Sequence, residues 1–519
     1  MNYDLSKRAT SGAITKRTVK ITRTVSATEP ATNATVPPTR PRDTNRFKLS
    51  TTPSLRAPSR PAPKSVARRA IDQRGTKRRS QTPDRVQFSS EDEDGGSSSE
   101  VGGSDSDGWL QKKKRVKSSV SSASSLGGPR RRVVANEAFQ LEAKELQYAH
   151  GADATSGKHA ANYKNPWEDD DFVTVELQYT IRCPRERFEL KWPKKSENKD
   201  YKPMEDITET ISHIVDFYFP PALAQQYKNP DTGFERRFKH AWVRHDIPAF
   251  VKTVEDFNTV LKSLVDDGTI RQSLARRDCL NRGRDLDIVR RILEQTYSRP
   301  VSPKVEMLRA YNNGTDNVYG ELLPRFVSKI FTQTGLNHES IFVDLGSGVG
   351  NVVLQAALEI GCDSWGIEQM RNPCDLAEQQ ALEFPARARL WGIDVGKVTL
   401  VRGDFTSDPE ILDVLKRADV VLVNNQAFLP ATNDQLLHMF LDLKPGCQIV
   451  SLKPFKHDEI TARNVDSVAN MLTQKEYEYF SEHVSWTDVG GTYYIARKDA
   501  TELKRFMKSQ RQRERMLRP

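Results

Sequence analysis

The second half of this 519-residue sequence predicts an α/β fold, a mostly parallel sheet with helices on both faces. From about residue 340, short runs rich in β-branched residues alternate with segments of helical periodicity. A glycine-rich turn joins the first of these runs to the first helical segment. Because two parallel strands need a crossover connection, usually a helix, this alternation is typical of parallel sheets.

The predicted elements follow one another in a regular order. Apolar runs bounded by turn residues predict the strands Ile341–Leu345, Ser364–Ile367, Val398–Val401, Val420–Val423 and Gln448–Leu452. Periodic segments between them predict the helices Asn351–Ile360, Pro373–Leu390, Asp408–Arg417 and Asn433–Leu443. Pro385 is expected to end or kink the second helix, because proline cannot donate the backbone hydrogen bond of a helix interior.

A helical region precedes this α/β part. One helix face is predicted by the apolar residues Ile207, Ile211, Ile214, Val215 and Tyr218. Similar patterns begin at Val251 and at Leu286. We therefore predict a mainly helical part over residues 161–310, an α/β core over 311–500 and a basic tail over 501–519.

The N-terminal region is strongly basic. Residues 1–133 hold 28 Lys+Arg and 12 Asp+Glu, against 79 and 69 in the whole chain. Basic clusters alternate with Ser, Pro and Thr, a composition that buries too little apolar surface to fold. We predict that residues 1–160 form a disordered basic arm. Its clusters are typical of nuclear-import signals or phosphate-binding sites, and a solvated tail with no specific partner is the alternative.

Composition also argues against several classes of protein. No run approaches the roughly 18 apolar residues of a membrane-spanning helix, and the N-terminus lacks an apolar signal-peptide core. The five cysteines show no Cys-x-x-Cys spacing. We therefore expect no membrane association, no disulfide framework and no metal site, and a reducing compartment.

The most informative motif is Asp344–Asn351, which follows the first predicted strand and opens the first helix. Its glycines permit a tight turn and let a ligand approach the backbone. Their Gly-x-Gly-x-Gly spacing differs from the dinucleotide fingerprint Gly-x-Gly-x-x-Gly. Asp344 would repel a pyrophosphate, but its carboxylate suits a cationic amino-acid group.

Two further acids follow the next two predicted strands. Glu368 lies 24 residues after Asp344, near the roughly 20-residue offset of the acid that binds ribose hydroxyls in such folds. Asp404 can accept from an adenine amino group, and Phe405 can pack on its ring. A ligand with adenine, ribose and a positive charge is S-adenosyl-L-methionine. The predicted fold class is therefore the Rossmann-like class I S-adenosylmethionine-dependent methyltransferase.

Five sequence blocks occur in series: Val318–Pro324, Phe342–Asn351, Val423–Asn425, Ser451–Phe455 and Val484–Thr487. Together they resemble the disruptor-of-telomeric-silencing family, non-SET methyltransferases that modify a core lysine of histone H3 in nucleosomes. The resemblance extends from about residue 200 to residue 498, and the basic arm before the domain is similar to the fungal members. The sequence departs from the family at Gln426, where an aromatic residue commonly follows the paired asparagines.

The resemblance implies a set of functional residues. The implied cofactor-binding residues are Tyr319, Gly320, Glu321, Leu322, Phe342, Val343, Asp344, Leu345, Gly346, Ser347, Gly348, Val349, Gly350, Asn351, Glu368, Asp404 and Phe405. Glu321 is expected near the methionine end of the cofactor. Asn424 and Tyr493 are expected to line the channel for the target lysine, and Trp486 is expected to support its wall.

By the same resemblance, the protein is expected to be a nuclear histone H3 lysine N-methyltransferase that uses S-adenosyl-L-methionine. The implied roles are chromatin regulation, such as telomeric silencing and the DNA-damage response. The implied partners are the nucleosome, including its ubiquitinated form, and DNA through the basic arm, with a monomeric enzyme.

Two other functions remain open at this point. Asn424–Phe428 occupies the position where adenine-amine methyltransferases of nucleic acids carry an Asn/Asp-Pro-Pro-aromatic turn, although both prolines are missing here. A non-catalytic chromatin-binding scaffold is the second alternative. The presence of all three acids and of the glycine turn argues against it.

Overall fold

Strands of the predicted α/β region form the central sheet of the protein. The structure is a computed structural model. It describes residues 22–23, 131, 133–140, 146–167, 172–194, 201–276, 285–309, 318–456 and 459–516. The strands are β1 (Thr22–Arg23), β2 (Tyr163–Lys164), β3 (Thr174–Leu177), β4 (Glu186–Glu189), β5 (Trp192–Pro193), β6 (Ile341–Leu345), β7 (Asp363–Glu368), β8 (Val398–Arg402), β9 (Val420–Val423), β10 (Gln448–Ser451), β11 (Leu472–Tyr479) and β12 (Gly491–Lys498).

The helices frame these strands. They are α1 (Asn136–Gln140), α2 (Gly151–Ala154), α3 (Pro203–Tyr218), α4 (Pro221–Tyr227), α5 (Phe234–Val243), α6 (Ile247–Asp266), α7 (Thr269–Ala275), α8 (Leu286–Ser298), α9 (Pro324–Thr334), α10 (Asn351–Gln355), α11 (Arg371–Leu390), α12 (Pro409–Leu415), α13 (Pro430–Met439) and α14 (Thr501–Met516). Short 3-10 helices span Gly157–Asn162, Ser302–Arg309, Phe440–Asp442 and Val468–Met471, and Ala356–Ile360 continues α10 as a π-helical turn.

The largest sheet among the described residues has the order β1-β8-β7-β6-β9-β10-β12-β11. Its pairs from β1 to β10 are parallel, whereas β12 runs antiparallel to β10 and to β11. The mostly parallel sheet is therefore confirmed, and each predicted strand lies within one residue of an observed one. The preceding region is not purely helical, because β2 pairs with β5 and β3 with β4.

Helices cover both faces of the sheet, because successive strand residues point to opposite sides. Val343 and Leu345 of β6 pack in the cluster that contains α12 and α13 residues. Phe342 of the same strand packs instead with Phe326 of α9 and Val352 of α10. This arrangement leaves the carboxyl ends of the parallel strands uncovered by these helices, at the edge where α/β folds bind ligands.

Pro385 does not end the second predicted helix, so that half of the expectation is wrong. Helix α11 continues through Pro385 to Leu390. Phe384 and Arg387 on either side of the proline are buried at 1% and 0% exposure. Burial of these neighbours offsets the backbone hydrogen bond that proline cannot donate.

The described residues 131, 133–140 and 146–160 belong to the folded part, which corrects the predicted arm boundary at residue 160. Val133 is buried, and the Arg131 guanidinium donates to the carbonyl oxygen of Glu359 at 2.5 Å. The few apolar residues of this stretch are scattered, so composition alone gives no sign that they pack on the core. Apart from β1, residues 1–130 and the disorder predicted for them lie outside the described residues.

A buried network of ion pairs joins the mainly helical part before residue 310 to the α/β core. Glu186 of β4 is fully buried and accepts from Arg387 of α11 at 2.6 Å and from Arg299 at 2.8 Å. Arg299 also donates to Asp206 of α3 at 2.5 Å, and Asp206 pairs with Arg291 of α8. Burial would raise the pKa of Glu186, but the two guanidinium groups hold it below its usual value.

We expect Arg387→Met to destabilise the protein by about 3–5 kcal/mol, because it leaves the buried Glu186 carboxylate without a main partner. Thermal unfolding of the full chain measures the effect. The matched control is Arg182→Met, which breaks an exposed pair with Asp266 and should cost less than about 1 kcal/mol. Equal losses for the two variants would contradict the prediction.

Candidate functional site

A cavity of about 270 Å³ opens at the carboxyl ends of β6, β7, β8 and β9. Four segments supply most of its wall: the covering segment 318–322, the glycine turn after β6, the end of β7, and residues 404–406 after β8. The lining residues are Val318, Tyr319, Gly320, Glu321, Leu322, Asp344, Gly346, Ser347, Gly348, Val349, Asn351, Val352, Ile367, Glu368, Gln369, Met370, Asp404, Phe405, Thr406, Leu422, Asn424, Phe428, Thr432 and Gln435.

The glycine turn is held by the neighbouring strand. Gly346 and Gly348 adopt φ values of 90° and 56°, a region that side-chain-bearing residues rarely occupy. The backbone N–H groups of Gly346 and Ser347 donate to the carbonyl oxygen of Ile367 in β7, at 3.0 and 2.9 Å. The turn therefore presents backbone to the cavity, where a ligand can approach closely.

The carboxyl groups of Asp344 and Glu368 both line the cavity beside this turn. Both oxygens of Glu368 accept backbone N–H groups, from Gly348 at 3.0 Å and from Met370 at 2.8 Å. Asp344 is 3% exposed, and its Oδ1 atom is buried without a hydrogen-bond partner among the described residues. Burial, together with the negative charge of Glu368, raises the pKa of Asp344 to about 8. A cationic ligand would supply the missing partner.

A third buried carboxyl group belongs to the covering segment. Burial raises the pKa of Glu321 to about 7, although hydrogen bonds from Tyr319 and Tyr297 oppose this shift. The segment is fixed by residues 483–486. The Ser485 N–H donates to the carbonyl oxygen of Glu321 at 2.9 Å, and the Glu321 N–H donates to the Ser485 hydroxyl at 2.9 Å.

Trp486 packs directly on the covering segment. A Cβ atom built on Gly320 would lie 2.7 Å from Cε3 of Trp486, so only glycine fits there. Trp486 thus contacts the covering segment, and its support of the wall of a lysine channel stays a prediction. Asn424 lies on the cavity side, donates from Nδ2 to the carbonyl oxygen of Gly320 at 3.1 Å, and keeps a buried Oδ1 without a hydrogen-bond partner among the described residues.

Tyr493 does not line this cavity. Its ring lies edge-on to Phe326 at 4.9 Å and stacks on Tyr477 at 5.5 Å, and its hydroxyl donates to Gln333. The reason is the alternation along β12, which directs the Tyr493 side chain to the sheet face that α9 covers. The structure therefore does not bring Tyr493 together with Asn424 in one channel.

The cavity wall after β8 and β9 is aromatic. Phe405 and Phe428 stack with ring centroids 6.1 Å apart and 25° between planes. Asp404 caps its own turn by accepting from the N–H and the hydroxyl of Thr406, both at 2.8 Å. An aromatic wall beside a carboxylate is suited to a purine with an amino group.

The predicted cofactor residues fall into two groups. Most line the cavity, but Phe342, Val343, Leu345 and Gly350 do not, since the first three are strand residues of the core and Gly350 packs against Leu400. Reasoning from sequence missed the lining residues Val318, Val352, Ile367, Gln369, Met370, Thr406, Leu422, Phe428, Thr432 and Gln435. Phe428 could have been found, because it follows the paired asparagines at the end of β9.

The residues present fit S-adenosyl-L-methionine. Buried carboxyl groups of Asp344 and Glu321 suit its ammonium and sulfonium charges, and Glu368 at the end of β7 suits its ribose. Phe405 and Phe428 suit its adenine. Among the described residues, no group of His, Cys, Asp and Glu side chains is arranged to hold a metal ion, and no helix has the length and hydropathy needed to span a membrane.

The fold and this site define a class I S-adenosylmethionine-dependent methyltransferase, as predicted. Comparison with known proteins identifies the particular family. A family model described as histone methylation protein DOT1 matches residues 297–497. The chain belongs to this family of histone methyltransferases, which use S-adenosylmethionine, and the resemblance noted in the sequence is confirmed.

Relatives in fungi span most of the chain. The histone-lysine N-methyltransferase, H3 lysine-79 specific, of Emericella nidulans is 49% identical over 383 residues, 73% of this chain and 75% of the relative. The protein of the same name from Aspergillus fumigatus is 50% identical over the same shares of the two chains. A solved RNA methyltransferase from Salinibacter ruber, in complex with S-adenosyl-L-homocysteine, covers 24% of this chain and 72% of its own at 26% identity and a TM-score of 0.20.

We expect cofactor binding to release protons between about pH 6 and pH 8. Without ligand, the carboxyl groups of Glu321 and Asp344 have pKa values of about 7 and about 8 and are partly protonated in this range. A bound cation favours the ionised forms and lowers both pKa values, so affinity should rise with pH through this window. Titration calorimetry in two buffers of different ionisation enthalpy counts the released protons.

The variant Asp344→Asn should reduce this proton release, whereas Asp413→Asn, at an exposed position on α12, should leave it unchanged. Identical binding heats in the two buffers for the wild-type protein would contradict the assignment.

Proposed function

We propose that this protein transfers methyl groups from S-adenosyl-L-methionine to lysine 79 of histone H3 in the nucleosome. The observation that carries the proposal is the relationship to fungal enzymes named H3 lysine-79 specific, at up to 50% identity over about three quarters of each chain. The cavity supports it, because four acids and an aromatic wall suit the charged end, the ribose and the adenine of this cofactor.

The residues take distinct roles in this proposal. Asp344 and Glu321 bind the cationic methionine end, Glu368 binds the ribose hydroxyls, and Phe405 with Asp404 binds the adenine. Asn424 lines the opening through which the target lysine enters, and Trp486 supports the covering segment beside it. Tyr493 has no role at the reacting atoms, because its ring lies in the core beside Phe326.

The cofactor supplies a methyl group on a sulfonium, which an amine nitrogen attacks in line. The protein contributes positioning and exclusion of water, and these effects can supply several kcal/mol of a reaction barrier. The lysine amine must lose a proton before it attacks, since its usual pKa is about 10.4. Entry into a cavity with buried walls disfavours the charged ammonium, while the unpartnered Oδ1 atom of Asn424 can accept from the neutral amine.

The remaining parts of the proposal concern the setting of the reaction. The nucleosome, with or without ubiquitin, is the substrate, and the enzyme acts as a monomer in the nucleus. Basic clusters in residues 1–130 hold nucleosomal DNA by releasing its counterions. In chromatin regulation, we infer roles in telomeric silencing and in the DNA-damage response, in keeping with the family.

We expect mass spectrometry of recombinant nucleosomes, incubated with enzyme and S-adenosyl-L-methionine, to locate the methyl groups on lysine 79 of histone H3. Asn424→Ala should lower kcat on the order of 100-fold, because small losses of alignment at the reacting atoms are costly. Asn464→Ala, in a turn of similar hydrogen bonding outside the cavity, is the matched control. Methylation of naked DNA or RNA instead of the histone would favour the adenine-amine alternative.

Removal of residues 1–130 should weaken nucleosome binding by about 10-fold or more near 100 mM salt and flatten its salt dependence. The deletion also removes β1, which pairs with β8 only at Val401 and Arg402, and it stops before Arg131 because Arg131 and Val133 pack in the folded part. Cofactor affinity, measured by calorimetry, should stay unchanged. A salt slope equal to that of the full chain would exclude the arm as the main DNA contact.

A further inference from the structure

The turn Asn424–Phe428 contributes to two walls of the cavity at once. Asn424 at its start donates to the carbonyl oxygen of Gly320 in the covering segment. Phe428 at its end stacks on Phe405, and its Cζ atom would lie 3.6 Å from a Cβ atom built on Gly346. An interaction that fixes this turn therefore positions both Asn424 and Phe428 in the cavity wall.

The side chain of Asn425 anchors the turn to the next strand. Asn425 is fully buried, and its Oδ1 atom accepts from the backbone N–H groups of Leu452 at 2.9 Å and Lys453 at 2.8 Å. Its Nδ2 atom donates to Oδ1 of Asn433 in α13 at 2.8 Å and approaches the Lys453 carbonyl oxygen at 3.3 Å. The Asn425 amide thus connects the end of β9 with the residues after β10 and with helix α13.

Asn433 carries this connection back to the turn. Its Nδ2 atom donates to the carbonyl oxygens of Leu429 at 3.1 Å and Phe428 at 3.4 Å. The Lys453 ammonium approaches the same Phe428 carbonyl at 3.5 Å. Both routes from Asn425 therefore end at the backbone of Phe428, the aromatic residue of the cavity wall.

We propose that Asn425 and Asn433 form an amide lock, two positioning residues that set the cavity position of Phe428 and the aim of Asn424. Neither residue lines the cavity, so each acts through the turn. The inference rests on the proposed function only in that the cavity binds S-adenosyl-L-methionine. Asn433 acts mainly on Phe428 and hence on cofactor affinity, whereas Asn425 acts on both ends of the turn.

The substitution Asn433→Asp tests the lock. The aspartate keeps an acceptor for Asn425 Nδ2 but cannot donate to Phe428 or Leu429. We expect the dissociation constant of S-adenosyl-L-methionine, measured by calorimetry on the full chain, to rise about 3- to 10-fold, the effect expected from losing the bond that holds the Phe428 carbonyl. KM for the cofactor should rise by a similar factor while kcat with nucleosomes changes less than 2-fold, since Asn424 remains anchored through Asn425.

Asn433→Ala should weaken cofactor binding at least as much, and the half-buried Asn464→Ala serves as a control with unchanged affinity. Asn425→Asp, which loses its donor to Asn433, should lower kcat as well as affinity. Thermal melting of each variant shows whether a loss of affinity comes from unfolding or from a misplaced turn. If Asn425→Asp does not fold, Asn433→Asp, at a half-buried site, still tests the proposal.

The outcomes distinguish the lock from the function. Wild-type protein that binds no S-adenosyl-L-methionine would overturn the proposed function. Wild-type protein that binds it, with Asn433→Asp and Asn433→Ala within 2-fold of its affinity, would overturn the lock alone. Melting temperatures near the wild-type value with the expected loss of affinity would support it.

Discussion

The buried ion pairs around Glu186 are the constraint on which the rest of the structure depends. Removal of several charges from water costs several kcal/mol per ion unless each finds partners of good geometry. Here the partners come from distant parts of the chain: β4, α3, α8, α11 and Arg299. The charges find these partners only when β4, α3 and α8 lie in one position relative to α11 of the α/β core. The network thus favours a single arrangement even where apolar residues of the same size would bind more strongly.

That arrangement reaches the cavity through two helices. Helix α11, which carries Arg387, begins just after the end of β7, where Glu368 accepts from Gly348 and Met370. Helix α8, which carries Arg291, ends near Tyr297, whose hydroxyl hydrogen-bonds Glu321. The carboxyl groups of Glu368 and Glu321 therefore lie beside helices that the ion pairs hold in place. Burial raises the pKa values of Glu321 and Asp344, so both acids are partly protonated near neutral pH until a cation binds.

The sequence could predict what depends on local pattern. Strand positions were set by β-branched runs, and the acids Asp344, Glu368 and Asp404 by their place after successive strands. Contacts between distant segments leave no such pattern. The packing of Arg131 and Val133 needed hydrogen-bond partners more than 200 residues away, Glu359 and Asp394. The polar residues of β11 gave little strand signal, since most of this edge strand is half-buried or exposed.

Tyr493 shows most clearly why a motif does not fix a side chain. The resemblance placed it in the lysine channel, yet one residue along a strand separates the two faces of the sheet. Its neighbour Phe326, on α9, is held by the turn that begins at Leu323, where the backbone N–H donates to the His483 carbonyl oxygen. This hydrogen bond helps to hold residues 483–486 against the covering segment. Trp486 packs on Gly320 of the covering segment, whereas Tyr493 lies in the core beside Phe326.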